Sequence, residues 1–476
     1  SSFVNQIVDE KISIDDLIRS PFDTLAEQGV HLHAALPLPH DLYGKGRLNS
    51  KGLDLSNENT LQQLQVQMNQ AADQNFQTAS IVNGESRVAN PVHEVCNPAD
   101  HNDIVGIVSF ADTALAQEAV AAAVAAQASW QAVSAAERAA CLRRTADLFE
   151  QHMPTLMMLA VREAGKTLTN AIAEVREAVD FCRYYADEAE QILPQGSQGV
   201  GTVVAISPWN FPLAIFTGEV VAALAAGNTV VAKPAEQTGL IAAYAVSLMH
   251  EAGIPVSALQ LVLGAGDVGA VLTQDVRING VIFTGSTEVA RLINQTLATR
   301  TDNPVLIAET GGQNAMIVDS TALAEQVCFD VLNSAFDSAG QRCSALRILC
   351  VQEDVANHMI SMIKGAMDEL VVDNPAELTT DVGPVIDAEA QQNLLAHISK
   401  MKAVAKAYHE IRPSEKIDDA QSTFVAPVLF ELNNLNDLQR EVFGPVLHVV
   451  RYRAGELDNL IDQINAKGYA LTHGIH

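Results

Sequence analysis

Of the six cysteines, Cys343 alone stands among small and polar residues beside a cation, in the segment SAGQRCSA. A thiol becomes a nucleophile when positive charge, a helix N-terminus or a neighbouring base lowers its pKa. Arg342 is adjacent in sequence, yet neighbours along a helix or strand need not share a face. Taken alone, the segment therefore reads more readily as a small buried thiol. Glu309 lies 34 residues earlier, directly after the apolar run NPVLIA and before Thr310, Gly311 and Gly312. A carboxylate at a strand end beside two glycines sits where backbone can approach a ligand, and with a raised pKa it could act as a general base. A solvated loop acid would look the same. In LGAGDVGAV, Gly264, Gly266 and Gly269 fit G-x-G-x-x-G after the run ALQLVL, at the opening of a helical stretch. Glycines at strand-to-helix turns also arise for steric reasons alone.

These residues need a frame. After Gly201, short β-branched runs (GTVVAI, NTVVAK, ALQLVL, NGVIFTG, NPVLIA) alternate with helical stretches such as LAIFTGEVVAALAAG and TGLIAAYAVSLMHEAG. That rhythm predicts an α/β fold with a parallel sheet covered on both faces. Such a sheet binds ligands beyond the carboxyl ends of its strands, where the joins SPWNFP, KPAEQ and TGSTE fall. A second strand-and-helix mixture runs from near Gly312 to the end. Between residues 61 and 193 the pattern is mostly helical, with Gly165 as a stop. Residues 1–60, punctuated by Pro37, Pro39, Gly44, Gly46 and Gly52, read as an extended linker arm.

Composition excludes several function classes. At 476 residues and 48% hydrophobic, the chain can bury the cores of two or three domains. A net charge of −28, from 29 basic against 57 acidic residues, argues against a nucleic-acid partner and suits solubility. The scattered cysteines show no CxxC and no metal-ligand spacing, so no disulfide framework and no metal are expected, and a reducing cytoplasm fits. No stretch is long and apolar enough for a transmembrane span, and SSFVNQIVDEKISIDD lacks a signal core.

Read in order, SPWNFP (207–212), KPAEQT (233–238), FTGSTE (283–288), ETGG (309–312), GQRCSA (340–345) and EVFGP (441–445) closely resemble the aldehyde dehydrogenase superfamily from about residue 85 onward. The arm FVNQIVDEKISIDDLI and the blocks KPAEQTGLIAAYAV and EVFGPVLHVVRY further resemble the bifunctional proline-utilization enzymes. In those, a flavin-dependent proline dehydrogenase precedes a dehydrogenase of glutamate γ-semialdehyde. The resemblance implies the aldehyde dehydrogenase fold, with an atypical Rossmann NAD-binding domain at 61–311 and an α/β catalytic domain at 312–476. It implies a shortened oligomerisation hairpin at 191–201, an N-terminal flavin domain as partner, a homo-oligomer, and a catalytic domain whose relatives continue beyond THGIH.

The roles it implies can be placed residue by residue. Cys343 attacks the aldehyde to give a thiohemiacetal, which passes hydride to NAD and leaves a thioester. Asn210, with the Cys343 backbone N–H, stabilises the oxyanion, a contact worth ~3 kcal/mol. Glu309 activates the hydrolytic water. Lys233 and Glu236 hydrogen-bond the adenosine ribose, and Glu441 and Phe443 grip the nicotinamide ribose and ring. Gly285 and Ser286 lie where a helix N-terminus faces the pyrophosphate, with Phe283 a further cofactor contact. The remaining cofactor contacts fall on Ile206, Ser207, Pro208, Trp209 and Ala235, with Gly266 and Gly269 beside the adenine half. An acid on the ribose hydroxyls favours NAD over NADP. Ser344, His473 and Gly474 are the implied holders of the substrate α-carboxylate, and Phe211 flanks its aliphatic part. The competing readings are a broader aldehyde dehydrogenase, a non-catalytic scaffold, and a cysteine hydrolase. The last would need a histidine partner for Cys343 and leaves KPAE and EVFGP without purpose.

Overall fold

The computed structural model describes residues 7–29, 36–44, 46–89, 91–193, 196–418, 420–469 and 471–476. The chain forms two units, Ser1–Lys51 and Gly52–His476. In the first, where an extended arm is expected, two short helices form at Ile14–Leu17 and Pro21–Gln28. Ser13 caps one by accepting from the Asp16 N–H. Pro21 starts the other and Gly29, at φ 60°, ends it. Parts of this arm (1–6, 30–35 and 45) lie outside the described residues.

The second unit holds two sheets. Strands β1 (Phe76–Val82), β2 (Glu85–Arg87), β3 (Val92–Asn97), β4 (Asp100–Ser109), β5 (Thr202–Ile206), β6 (Thr229–Lys233), β7 (Leu259–Leu261), β8 (Gly280–Gly285) and β9 (Val305–Thr310) form one, in the order β3-β4-β1-β7-β6-β5-β8-β9, with β2 paired to β1. From β7 to β9 all pairings are parallel. The other sheet comprises β10 (Ala315–Val318), β11 (Ile348–Gln352), β12 (Ala407–Glu410), β13 (Val428–Glu431), β14 (Val446–Tyr452) and β15 (His473–Ile475), ordered β12-β13-β14-β11-β10-β15.

Both faces of β5 and β6 are covered, and alternation shows it, whereas β9, expected to be covered like them, is largely exposed at the end of the sheet. Val203, Val230 and Ala232 pack into one core cluster, while Val204 and Val231 pack into another on the opposite face. The first cluster also holds Leu156, Val175, Val220 and Val246, from the helices Met153–Ala164, Leu168–Ile192, Ala214–Ala225 and Gly239–Glu251. Gly165, at φ 66°, ends the first of these helices as expected.

Two features depart from the sequence reading. The stretch expected to be mostly helical contains β1–β4. The turn between β1 and β2 is Asn83-Gly84, at φ 51° and 80°, a two-residue hairpin turn whose sequence is its own signal. Glu309 lies within β9, paired in register with Thr284, instead of following the strand. In the expected hairpin region the helix runs to Ile192 and β5 starts at Thr202, while Pro194 and Gln195 lie outside the described residues.

Candidate active site

The loops leaving the carboxyl ends of β5, β6, β8 and β9 converge on a cavity of about 730 Å³. They bring Pro208, Trp209 and Asn210, then Glu236 and Gln237, then Thr284, Gly285 and Ser286, then Thr310 and Gly311. The facing wall carries Cys343, residues of the helix Ala388–Val404, and the run Arg440–Phe443. A parallel sheet binds its ligand in this position because its helix N-termini and strand ends open on one side.

Cys343 is half-buried in a loop fixed at several points. Asn314 Nδ2 donates to the carbonyls of Cys343 at 2.7 Å and Ala345 at 2.9 Å, and its Oδ1 accepts the Thr472 N–H at 3.1 Å. Arg347, fully buried, donates to the carbonyls of Gly340 (2.6 Å), Gly444 (3.2 Å) and Arg342 (3.0 Å) and pairs with Glu441 at 3.4 Å. Its guanidinium also lies 5.1 Å from the Phe443 ring centroid. One cation thus ties the loop carrying Cys343 to the loop carrying Glu441 and Phe443. Just upstream, Ser338 and Ala339 adopt left-handed φ of 57° and 54°, a strained backbone. A Cβ on Gly340 would sit 2.2 Å from the Gly444 carbonyl oxygen, so only glycine fits there.

Burial pushes the Cys343 thiol above its usual range, opposed by hydrogen bonds from its own and the Ser344 N–H groups. The resting residue is a thiol. Asn210 is buried and donates to the Gln341 carbonyl at 3.1 Å, which leaves its second amide hydrogen for another acceptor.

The other sequence-predicted residues fall into three groups. Pro208, Trp209, Glu236, Gly285, Ser286, Glu441 and Phe443 line the cavity with Asn210 and Cys343. Trp209 and Phe443 meet edge to face at 5.6 Å. A Cβ on Gly311 would fall 1.9 Å from Glu441 Oε2, so that glycine lets the carboxylate close over the strand end. Ile206, Ser207, Lys233, Ala235 and Phe283 stand behind the lining on β5, β6, β8 and their loops. Gly266 opens the helix Gly266–Gln274, and a Cβ on Gly269 would lie 3.6 Å from the Lys233 side chain. Glu309 is exposed, one residue before the lining Thr310. Ser344, also exposed, has its carbonyl bonded by Thr472 Oγ1 at 3.3 Å, directly before His473 and Gly474 of β15. The Phe211 ring lies 4.7 Å beneath Lys166 Nζ.

Sequence reasoning missed four residues that hold this frame. Besides Arg347 and Asn314, two buried glutamates each receive the first backbone N–H groups of a helix behind a cavity loop. Glu174 accepts from Leu213 and Ala214, behind the Asn210 loop. Glu163 accepts from Leu240 and Ile241, behind the Glu236 loop. An acid at a helix N-terminus is stabilising, but here the partners lie 39 to 78 residues away, and no local pattern announces them.

Burial raises Glu163 to about 8, against two backbone hydrogen bonds that lower it. With its folded pKa above the unfolded value, the folded state holds the proton that the unfolded state has lost. Stability is then greatest below about pH 4.5 for this group and falls as pH rises towards 8. Denaturant unfolding at pH 5 and pH 8 should show a loss of stability that is smaller in Glu163→Gln by an amount on the order of a few kcal/mol. Equal pH slopes in the two proteins would show that Glu163 is not the group responsible.

The sequence pattern of the aldehyde dehydrogenase family matches residues 85–476. The chain belongs to that family. Over its whole length it is 53% identical to the bifunctional protein PutA of Klebsiella aerogenes, of which it spans 37%. It is 32% identical to the 1-pyrroline-5-carboxylate dehydrogenase of Geobacillus kaustophilus, with 83% of this chain and 79% of that protein aligned. Among solved structures, a mutant of Thermus thermophilus 1-pyrroline-5-carboxylate dehydrogenase superposes with a TM-score of 0.83 at 29% identity, covering 90% of this chain and 86% of that one. The chain therefore spans a little over a third of the curated PutA proteins and most of the 1-pyrroline-5-carboxylate dehydrogenases it matches. Within this aldehyde dehydrogenase, no helix among the described residues is long and apolar enough to cross a membrane.

Proposed function

We propose that this aldehyde dehydrogenase oxidises L-glutamate γ-semialdehyde to L-glutamate with NAD, the second step of proline catabolism. The observation that carries the reading is the convergence of Cys343, Asn210, Glu236, Glu441 and Phe443 on one cavity. Relatives named as 1-pyrroline-5-carboxylate dehydrogenases and PutA proteins support the substrate.

The residues present fit a dinucleotide. Lys233 is buried, and among the described residues its ammonium donates only to the Pro234 carbonyl, at 3.2 Å, leaving donors for ribose hydroxyls. The Ser207 hydroxyl and Gln237 Oε1 are buried without a partner among the described residues. Glu236 is a lining acid, and an acid at the ribose favours a free 2′-hydroxyl over a 2′-phosphate. The nicotinamide dinucleotide, when bound, accepts the hydride.

The chain supplies the rest. Cys343 Sγ adds to the aldehyde carbon, and the oxygen that becomes negative is met by the free Asn210 amide hydrogen and the Cys343 N–H. The acyl group left after oxidation is a thioester on Cys343. Glu309, in water beside the cavity-lining Thr310, is the base that takes a proton from the hydrolytic water. Ser344 and the β15 residues His473 and Gly474 receive the substrate carboxylate. We assign residues 61–311 to cofactor binding and 312–476 to catalysis. In the full-length protein a flavin-dependent proline dehydrogenase precedes this part, in a cytoplasmic homo-oligomer.

The direct test is NADH formation with glutamate γ-semialdehyde, with propanal and with no aldehyde. Equal kcat/KM for the two aldehydes would leave a broad-specificity enzyme, and no turnover with either would overturn the reading. Glu309→Gln should separate the two half-reactions. With no base for water, the first turnover proceeds and the thioester accumulates, so rapid mixing shows a burst of NADH followed by a slow steady state. A variant slowed equally in both phases would assign Glu309 another role.

A further inference from the structure

Glu219 lies in the helix Ala214–Ala225, nine residues after Asn210, and takes no part in the chemistry above. It is 8% exposed. Thr284 Oγ1 donates to its Oε1 at 2.7 Å, while its Oε2 is buried with no partner among the described residues. Thr284 is itself a lining residue of the cavity. A carboxyl group therefore stands one hydroxyl behind the cavity wall, with half of its hydrogen-bonding capacity unused.

Its surroundings decide its charge. Among the described residues no cation pairs with it. On the elements packed around it, Glu174 is bonded to the N–H groups at the start of the same helix and lies 3.6 Å from Lys166. Arg138 donates to the Ala225 carbonyl at the far end. Lys233 donates to the Pro234 carbonyl. Glu177 and Glu309 are exposed, the first one turn before Phe181, whose ring covers Gly218, and the second on the neighbouring strand β9, in register with Thr284. A carboxylate buried without a counter-charge and with one neutral donor costs several kcal/mol, so the group holds a proton. Burial accordingly raises it well above the ordinary carboxylic range. Because the Thr284 hydrogen is committed to Oε1, the Thr284 oxygen turns lone pairs towards the cavity. It is an acceptor suited to a carboxamide N–H.

We propose that Glu219 is a proton-bearing residue of the cofactor site: it keeps its proton in the empty cavity and releases it to solvent when the positively charged ring of an oxidised nicotinamide dinucleotide is seated against Thr284. The inference rests on the NAD-dependent reading. One O–H bond breaks, the proton goes to buffer, and no electrons move. The reduced ring is neutral and draws no proton out, so NAD⁺ binding is proton-linked and NADH binding is not. Affinity for NAD⁺ relative to NADH then rises with pH, by at most about tenfold per pH unit.

Calorimetric titration of the intact chain with NAD⁺ and with NADH, in phosphate and in Tris at one pH, reads the protons released. The expected result is a fraction approaching about one proton for NAD⁺ and none for NADH, lost in Glu219→Gln and kept in Cys343→Ala, which excludes the cavity thiol as its source. Should Glu219→Gln fail to fold, the infrared difference spectrum of the unaltered protein should lose a protonated-carboxyl band with NAD⁺ and not with NADH. Release that survives Glu219→Gln, release that is equal for NAD⁺ and NADH, or an unchanged carboxyl band overturns this inference while leaving NAD binding intact. Failure of NAD⁺ to bind at all overturns the functional reading beneath it.

Discussion

Cys343→Ala should reduce aldehyde oxidation by roughly 10⁴-fold or more, to the background of the assay, because the covalent intermediate cannot form. The affinity for NAD should change by less than about twofold. Lys233 and the cofactor loops are held by β5, β6 and β8, whereas the nucleophile sits on the opposite wall in a loop fixed through backbone carbonyls, by Asn314 at 2.7 Å and by Arg347. Removing one sulfur leaves those anchors in place. Steady-state NADH formation and calorimetric NAD binding, measured on the same preparation, separate the two effects. Appreciable turnover in the alanine variant would remove Cys343 from the mechanism.

The second large effect concerns cofactor choice. Glu236 lines the cavity while Lys233, three residues earlier, lies behind it. An acid able to accept from both ribose hydroxyls repels a 2′-phosphate in the same place. Glu236→Ser removes the repulsion together with one anchor, so NAD weakens while NADP loses little or improves. A hydrogen bond to a charged group is worth ~1.5–3 kcal/mol in favourable settings, but Glu236 is exposed, so the change in the NAD to NADP ratio is set at roughly tenfold. Lys233→Ala should weaken both cofactors, since its ammonium would meet a hydroxyl they share. The ratio of kcat/KM for NAD and NADP across the three proteins decides it, and a ratio unmoved by Glu236→Ser would place the ribose elsewhere.

What the sequence made legible follows from how each element is stabilised. The strands β5, β6 and β8 stood out because burial on both faces demands unbroken β-branched runs, as in TVVAI and TVVAK. The joins after them stood out because rare residue types are needed where backbone meets ligand. β3 escaped because its residues are largely exposed and carry no apolar run, so it is held as the outer strand of a hairpin with β4 through backbone pairing. The first unit escaped because two capping signals within 16 residues outweigh the prolines and glycines downstream. Arg347, Asn314, Glu163 and Glu174 were invisible for another reason. Each is an ordinary residue locally, and its meaning lies in partners distant along the chain. Glu219 belongs with them, because nothing in TGEVV says that its carboxyl is starved of partners.

The buried Arg347 has a consequence for how variation in this chain combines. Substitutions at separated sites usually add, and those sharing a partner do not. The nucleophile loop and the Glu441–Phe443 loop contact the same guanidinium, so a change in one alters the anchorage seen by the other. Paired substitutions drawn one from each loop are coupled through a residue that neither replaces. Whether a change in either loop is benign therefore depends on which residues the other carries.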